Sequence, residues 1–136
     1  MLNFDSFGSH LGWFELSAAG PAGMTEHLRE RFAERGLYTA VSTAVMPYAD
    51  HFPFAAAGVP AATLIRWNCK AGRFFHHRPD DDLSRVSPEL IGRVIDASAA
   101  LLVDLAERET LPFPREVPAD QAQAAARYWD DLFGGW

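Results

Sequence analysis

Residues 51–67, HFPFAAAGVPAATLIRW, decide the fold because they predict a helix and a strand in direct succession. The first eight residues, HFPFAAAG, are typical of a short helix that ends at Gly58, and residues 60–67 (PAATLIRW) predict a buried strand. Just upstream, residues 37–45 (LYTAVSTAV) are rich in β-branched side chains and predict another strand. A strand, a helix and a strand in this order are the repeating unit of an α/β fold.

The same alternation extends from this unit toward the N-terminus. Residues 2–7 (LNFDSF) alternate apolar and polar side chains and predict a strand, and residues 13–16 predict a second short strand. Residues 18–23 (AAGPAG) are typical of a segment that breaks regular structure. In residues 24–35 the apolar positions recur every four residues, which predicts an amphipathic helix.

Toward the C-terminus the sequence predicts two further helices. Ser87 is placed to cap a long helix that begins with Pro88, and a Pro-rich connector leads to an amphipathic stretch at residues 120–133. We therefore expect residues 1–110 to form an α/β three-layer sandwich with a mainly parallel sheet and helices on both faces. Residues 111–136 then hold the connector and a C-terminal amphipathic helix.

The composition of the chain limits the kinds of partner that it can bind. Its 136 residues are 49% hydrophobic and carry a net charge of −6, without a cluster of Lys and Arg that would bind nucleic acid. No apolar run approaches the roughly 20 residues of a membrane-spanning helix, so we expect a soluble protein, with the cytoplasm favoured as its location.

Cys69 is the single cysteine and is predicted to be a packing residue. Because the first residues already predict a buried strand, we expect the N-terminal part of the domain to be missing.

Three polar clusters follow or precede predicted elements at positions where an α/β site forms. They are Asp5 near the end of the first strand, the pair Asp50 and His51 before a short helix, and residues 74–82 (FFHHRPDDD). Carboxylates and imidazoles are the ligands that zinc prefers in hydrolytic sites, where the metal lowers the pKa of a bound water. Each cluster also has a structural interpretation: a turn carboxylate, a helix cap and a solvated loop, respectively.

The run of aspartates that follows the two histidines has more members than a metal site needs. An imidazole bound to metal uses a carboxylate or carbonyl on its other ring nitrogen, and one or two of Asp80, Asp81 and Asp82 are near enough in sequence to supply it. The remaining aspartates are expected to cap or solvate the loop. The sequence contains no G-x-S-x-G elbow, no phosphate-binding glycine loop and no H-E-x-x-H helix, which sets those enzyme classes aside.

Three segments, LNFDSFG, ADHFPFAAAGVPAATL and FHHRPDDDLSRVSPELI, together resemble the last three motifs of the di-zinc aminopeptidases of peptidase family M28, which include the glutaminyl cyclases. The resemblance covers about residues 2–105. It implies that Asp5 binds one zinc ion and His77 the other, with two zinc ions in a complete site. The register of H-R-P-D-D-D-L favours His77 over His76 as the ligand.

The resemblance also implies supporting roles and one deficiency. Asp50 and Asp81 would lie beside the metal ligands without binding the ions, and His76 and Phe52 would belong to the substrate pocket. The family's upstream H-x-D pair, bridging aspartate and Glu-Glu pair, which includes the general base, have no counterpart in this sequence. The resemblance therefore implies part of a zinc aminopeptidase that acts on peptides, and we expect the chain to be inactive alone.

Two alternatives remain open. One is the chemistry of the glutaminyl cyclases, in which an amine attacks an amide within the same substrate. The other is a non-catalytic module, because a sheet without its upstream strands exposes unpaired backbone groups along one edge. Such an edge predicts a homo-oligomer, or association with a missing N-terminal half.

Overall fold

The computed structural model describes residues 1–67 and 75–134, which form a four-stranded sheet between two layers of helices. The predicted packing residue Cys69 and Phe74, the first residue of the segment 74–82, lie outside the described residues. A 3₁₀ turn occupies Leu83–Arg85. The strands and helices, in chain order, are β1 (Leu2–Asp5), β2 (Trp13–Ala19), α1 (Ala22–Glu34), β3 (Thr39–Ser42), α2 (Phe52–Ala56), β4 (Ala61–Trp67), α3 (Pro88–Ala106) and α4 (Ala119–Phe133).

The strands lie in the order β1-β4-β2-β3. β1 pairs parallel with β4 and β2 pairs parallel with β3, whereas β2 and β4 pair antiparallel. Parallel strands need a crossover of a dozen or more residues, and the short connection between β1 and β2 contains no helix, so β2 runs opposite to β1. The predicted α/β fold is confirmed, and two of the three strand pairings are parallel.

The main core lies on one face of the sheet, beneath α1 and α3. Leu16 pairs with Leu64 and Ala18 with Ala62, so these side chains point to the same face. The predicted helical spacing is confirmed by α1, which buries Met24, Leu28 and Phe32. From α3, the core receives three buried side chains, which are those of Val94, Ala97 and Leu101.

The other face of the sheet is lined by smaller side chains, and α2 and α4 pack on part of it. Ala19 of β2, Ala61 of β4 and Ala55 of α2 form a second buried cluster. Ala125 of α4 is also fully buried, and α4 contacts α2 directly. Helices therefore cover both faces of the sheet, as predicted.

Several boundaries differ from those predicted. β1 ends at Asp5 because Ser6 adopts a left-handed backbone with a φ of 48°. The interpretation of residues 18–23 as a breaker is wrong at both ends, since Ala18 and Ala19 continue β2 by pairing with β4, and α1 already begins at Ala22. The apolar alanines pair because cross-strand packing outweighs their weak strand preference. β3 is limited to Thr39–Ser42.

The long helix begins at the residues that the sequence predicts. The Ser87 hydroxyl oxygen accepts a hydrogen bond from the Leu90 N–H at 3.2 Å, which confirms Ser87 as the cap of α3. Phe113, in the connector, packs against the main core. His27 of α1 forms a 2.8 Å contact between its Nε2 and Asp104 Oδ2 of α3. No helix within residues 1–67 and 75–134 is long and apolar enough to cross a membrane.

Candidate functional site

A cavity of about 1000 Å³ opens over the part of the sheet that α2 and α4 leave uncovered. Its floor includes Ser17 of β2 and Ile65 of β4, which belong to the same face as the small alanines of these strands. Its walls come from the loops after β1 and β3, the segment before α3, and one residue of α4. The side chains that carry charge, titrate or present an aromatic ring to this cavity are Asp5, His10, Tyr48, Arg66, Trp67, Phe75, His76, Asp81, Arg85 and Tyr128.

Asp5 lies in this cavity at the carboxyl end of β1, where it pairs in register with Ile65. The neighbouring Ser6 hydroxyl donates a hydrogen bond to Asp5 Oδ1 at 3.0 Å. The left-handed backbone at Ser6 turns the chain away from the sheet directly after Asp5. The strand end therefore presents a carboxylate with one oxygen already oriented by its neighbour.

The three consecutive aspartates have three different environments. Asp80 accepts a hydrogen bond from Arg78 Nε at 3.0 Å. Asp82 caps the 3₁₀ turn, since its Oδ1 accepts from the hydroxyl and the backbone N–H of Ser84 at 2.6 and 2.8 Å. The hydroxyl bond and then the backbone bond hold the pKa of Asp82 below its usual value. Asp81 alone of the three lines the cavity.

The two histidines of this loop stack on each other, with ring centroids 3.8 Å apart and ring planes 23° from parallel. His76 lines the cavity, and His77 is exposed and adopts a left-handed backbone with a φ of 60°. The structure therefore places His77 beside a cavity residue and outside the cavity wall. The predicted preference for His77 over His76 as a zinc ligand stays a prediction.

The predicted site residues Asp50 and Phe52, at the beginning of α2, lie away from the cavity wall. Asp50 is exposed. The interpretation of Asp50 as the cap of α2 is wrong by one residue, because the N-cap of this helix is His51. Phe52 is buried, with its ring 6.0 Å from that of Trp129 in α4. Neither Asp50 nor Phe52 is among the described residues that line the cavity. Phe52 thus contacts the helix that contributes to the cavity, and its predicted place in the substrate pocket would be indirect.

His51, which the sequence places beside Asp50 in one of the three polar clusters, is a buried imidazole. Its side chain is 1% exposed, and its Nδ1 has no hydrogen-bond partner among the described residues. Burial lowers the pKa of His51 below its usual value near 6.5, and the Asp50 carboxylate raises it by a smaller amount. His51 is therefore a neutral, buried ring at neutral pH.

The described residues do not fit a complete zinc site. Within residues 1–67 and 75–134, no group of three or more His, Cys, Asp or Glu side chains is arranged to hold a metal ion. A catalytic zinc normally has about three protein ligands. Asp5 and His77 do not by themselves supply that number.

Several cavity residues were not predicted as functional. Arg66 is the one charged residue near the end of an otherwise apolar predicted strand, and this feature of the sequence could have marked it as functional. Its guanidinium lies 4.7 Å from the centre of the Phe14 ring. Arg85 lies 3.9 Å from the centre of the Phe75 ring. His10, Tyr48 and Tyr128 have no such signal, because only long-range contacts bring them to the cavity.

Comparison with known proteins identifies the family and the fold. The model of peptidase family M28 matches residues 1–102. Among solved structures, BSAP, a zinc aminopeptidase from Bacillus subtilis, superposes with a TM-score of 0.62 at 16% identity, over 86% of this chain and 31% of that chain. This chain thus spans about a third of the BSAP structure, and the likeness shows a shared fold. No curated protein matches the sequence. Because the family match covers more than half of the residues, the chain belongs to peptidase family M28.

Proposed function

We propose that this chain supplies the substrate cavity and part of the zinc site of an aminopeptidase that removes N-terminal residues from peptides. The observation that carries the proposal is the convergence of Asp5, His76 and Asp81 on one cavity with aromatic walls. Family membership and the fold shared with a zinc aminopeptidase support it. The zinc ligands that this chain contributes are Asp5 and His77, with the remaining ligands and the general base supplied by groups outside it.

The cavity offers the contacts that a peptide N-terminus needs. Asp5 and Asp81 provide carboxylate oxygens that accept hydrogen bonds from a protonated amine. Ile65, Trp67 and Tyr48 provide apolar and aromatic surface for a side chain. Zinc, when bound in a complete site, would activate a water molecule for attack on the peptide bond. The residues of this chain bind and orient the substrate.

Zinc content and hydrolysis of leucine p-nitroanilide, measured on the same zinc-loaded sample, test this proposal. We expect less than one zinc ion per chain and no hydrolysis above the buffer rate. Replacement of His77 by Ala should lower the residual zinc content more than the matched replacement His76→Ala, since His77 is the proposed ligand. Stoichiometric zinc together with hydrolysis that His77→Ala abolishes would show that the site is complete and that our view of a partial site is wrong.

A second candidate is a non-catalytic binding module. The lack of a group of three metal ligands among the described residues favours it. Adding the N-terminal part of an M28 aminopeptidase in trans distinguishes the two candidates, because it would supply the remaining zinc ligands and the general base. A partial enzyme should then gain hydrolytic activity, whereas a binding module should not. Peptide binding without zinc and without any gain of activity would favour the module.

We also propose that the chain associates through the β1 edge, with a second copy or with a separate N-terminal part. β1 forms one edge of the described sheet, so the outer side of its backbone has no neighbouring strand there. Beside this edge, α3 exposes two large apolar side chains: Ile95 is 57% exposed and Leu102 is 51% exposed. Backbone groups to pair and apolar surface to bury therefore occur together at this edge.

A further inference from the structure

Helix α4 lies outside the residues that match the family, yet it contributes Tyr128 to the cavity. We infer that Tyr128 is a specificity-determining residue that selects peptides with an aromatic or large apolar N-terminal side chain, an inference that rests on the proposed peptide-binding function. The C-terminal helix is then part of the binding site. Four observations on its position carry this inference.

First, α4 is fixed to the sheet by a buried side chain at its beginning. Gln121 is 8% exposed, and its Oε1 accepts a hydrogen bond from the Gly20 N–H at 2.8 Å, just beyond the end of β2. Its Nε2 donates to the Thr43 carbonyl oxygen at 3.1 Å, just beyond the end of β3. One amide thus joins α4 to two strands, and a buried amide with both ends bonded holds its helix in one register.

Second, helical geometry carries this fixed position to Tyr128. Tyr128 follows Gln121 by seven residues, which is about two turns, so both side chains project from the same side of α4 about 10 Å apart along its axis. Ala125, between them, is fully buried on that side. Tyr128 is 40% exposed and lines the cavity. The contact surface of α4 therefore runs from the strand ends to the cavity wall.

Third, aromatic packing holds the same part of α4 from another direction. The Trp129 ring lies 6.0 Å from that of Phe52 in α2 and 4.6 Å from that of Phe133 one turn later. Aromatic pairs at these distances add to the energy of burial. Tyr128 is thus adjacent to a packed residue, which limits the movement of its backbone.

Fourth, the neighbouring wall has matching chemistry. Gln121 is bonded to Thr43, and the segment that follows Thr43 lines the cavity with Val45, Met46 and Tyr48. Trp67 and Phe75 add two further aromatic rings to the lining. Large apolar surfaces of this kind favour an apolar or aromatic guest, whereas the carboxylates of Asp5 and Asp81 accept its amine.

Isothermal titration with two dipeptide amides tests the inference. The chain is treated with EDTA, so that binding is measured apart from hydrolysis, and is titrated with Phe-Ala amide and with Ala-Ala amide. An aromatic contact adds about 0.5–1.5 kcal/mol, which corresponds to a preference of about two- to twelvefold in Kd. We expect this preference in the wild type and in Tyr128→Phe, and its loss in Tyr128→Ala.

Tyr38 gives the matched control, because it is an exposed tyrosine that is not among the lining residues. Tyr38→Ala should keep the wild-type preference, and circular dichroism should show the fold intact in all variants. An unchanged preference in Tyr128→Ala would overturn the inference and leave the proposed function standing. A wild type that binds neither amide would overturn the proposed peptide-binding function, and the inference with it.

Discussion

At the scale of single residues, identical side chains that are adjacent in the sequence make different contacts, because the backbone directs each of them into a different environment. Asp80, Asp81 and Asp82 bond to Arg78, line the cavity and cap a turn, respectively. The sequence predicts that the three aspartates divide into supporting and capping roles. The residue pattern alone does not say which aspartate has which role, because that depends on the conformation of the turn that follows them, and only the resemblance to the M28 family singles out Asp81.

His51 leads to a prediction about pH. Its folded pKa lies below the unfolded value near 6.5, so below that pH the unfolded chain binds a proton that the folded chain does not. The contribution of His51 to the free energy of unfolding should therefore be fully present above about pH 7.5 and should be lost as the pH falls through 6.5 toward the folded pKa. Urea unfolding at pH 7.5 and 5.5 measures this difference, which His51→Leu should reduce.

Phe52→Leu is the control for His51→Leu, since it perturbs the neighbouring buried position of the same segment without removing a titrating group. It should lower the free energy of unfolding by a similar amount at both pH values. If His51→Leu retains the wild-type difference between the two pH values, the burial of a neutral His51 does not contribute to the acid sensitivity of the fold.

At the scale of elements, periodicity and caps are the part of the fold that the sequence predicts well. The four-residue apolar spacing of α1 and the Ser87 cap of α3 are local patterns, and both occur in the structure. The direction and order of the strands are not local. The antiparallel pairing of β2 with β4 depends on which strands meet after the chain has collapsed. The contribution of α4 to the cavity is likewise set by long-range bonds of Gln121.

Gln121→Leu should loosen α4 from the sheet. The substitution keeps a similar volume but leaves the Gly20 N–H and the Thr43 carbonyl oxygen without their bonds to the side chain. Unsatisfied buried polar groups cost about 1–3 kcal/mol, and we expect a decrease of that size in the free energy of urea unfolding. Gln123→Leu, at an exposed position of the same helix, should change it by less than about 0.5 kcal/mol. Equal effects of the two substitutions would show that the buried amide does not anchor α4.

At the scale of the whole molecule, the two faces and the edge of the sheet serve different purposes. One face holds the main core beneath α1 and α3, and the other holds the cavity beside α2 and α4. The β1 edge is one of the two edges of the described sheet, with β3 at the other, and the position of α3 determines the character of the β1 edge. Arg93 bonds to the Gly36 carbonyl oxygen and Asp104 to His27, so these residues mark the side of α3 that faces α1.

Ile95 and Leu102 lie on the opposite side of α3, the side next to β1. Each residue advances the helix by about 100°, which places both of them roughly 180° from Arg93 and Asp104 around the axis. Leu102 also borders a smaller cavity whose lining includes Met1 and Leu2 at the start of β1 as well as Met24 and Leu28 of α1. A partner strand that pairs with β1 would therefore cover Leu102 as well.

Leu102→Lys should weaken association through this edge, and Val103→Lys provides a matched control. The two residues are similarly exposed, at 51% and 53%, but Val103 is turned by about a further 100° away from β1, toward solvent. Burial of a lysine charge at an interface opposes association, whereas the same charge in solvent does not.

Sedimentation velocity over a range of concentrations should show wild type and Val103→Lys forming dimers at concentrations at which Leu102→Lys remains monomeric. A wild type that stays monomeric at the highest concentration would exclude a second copy as the partner. The same dimerisation in all three proteins would show that copies meet at a surface other than the β1 edge.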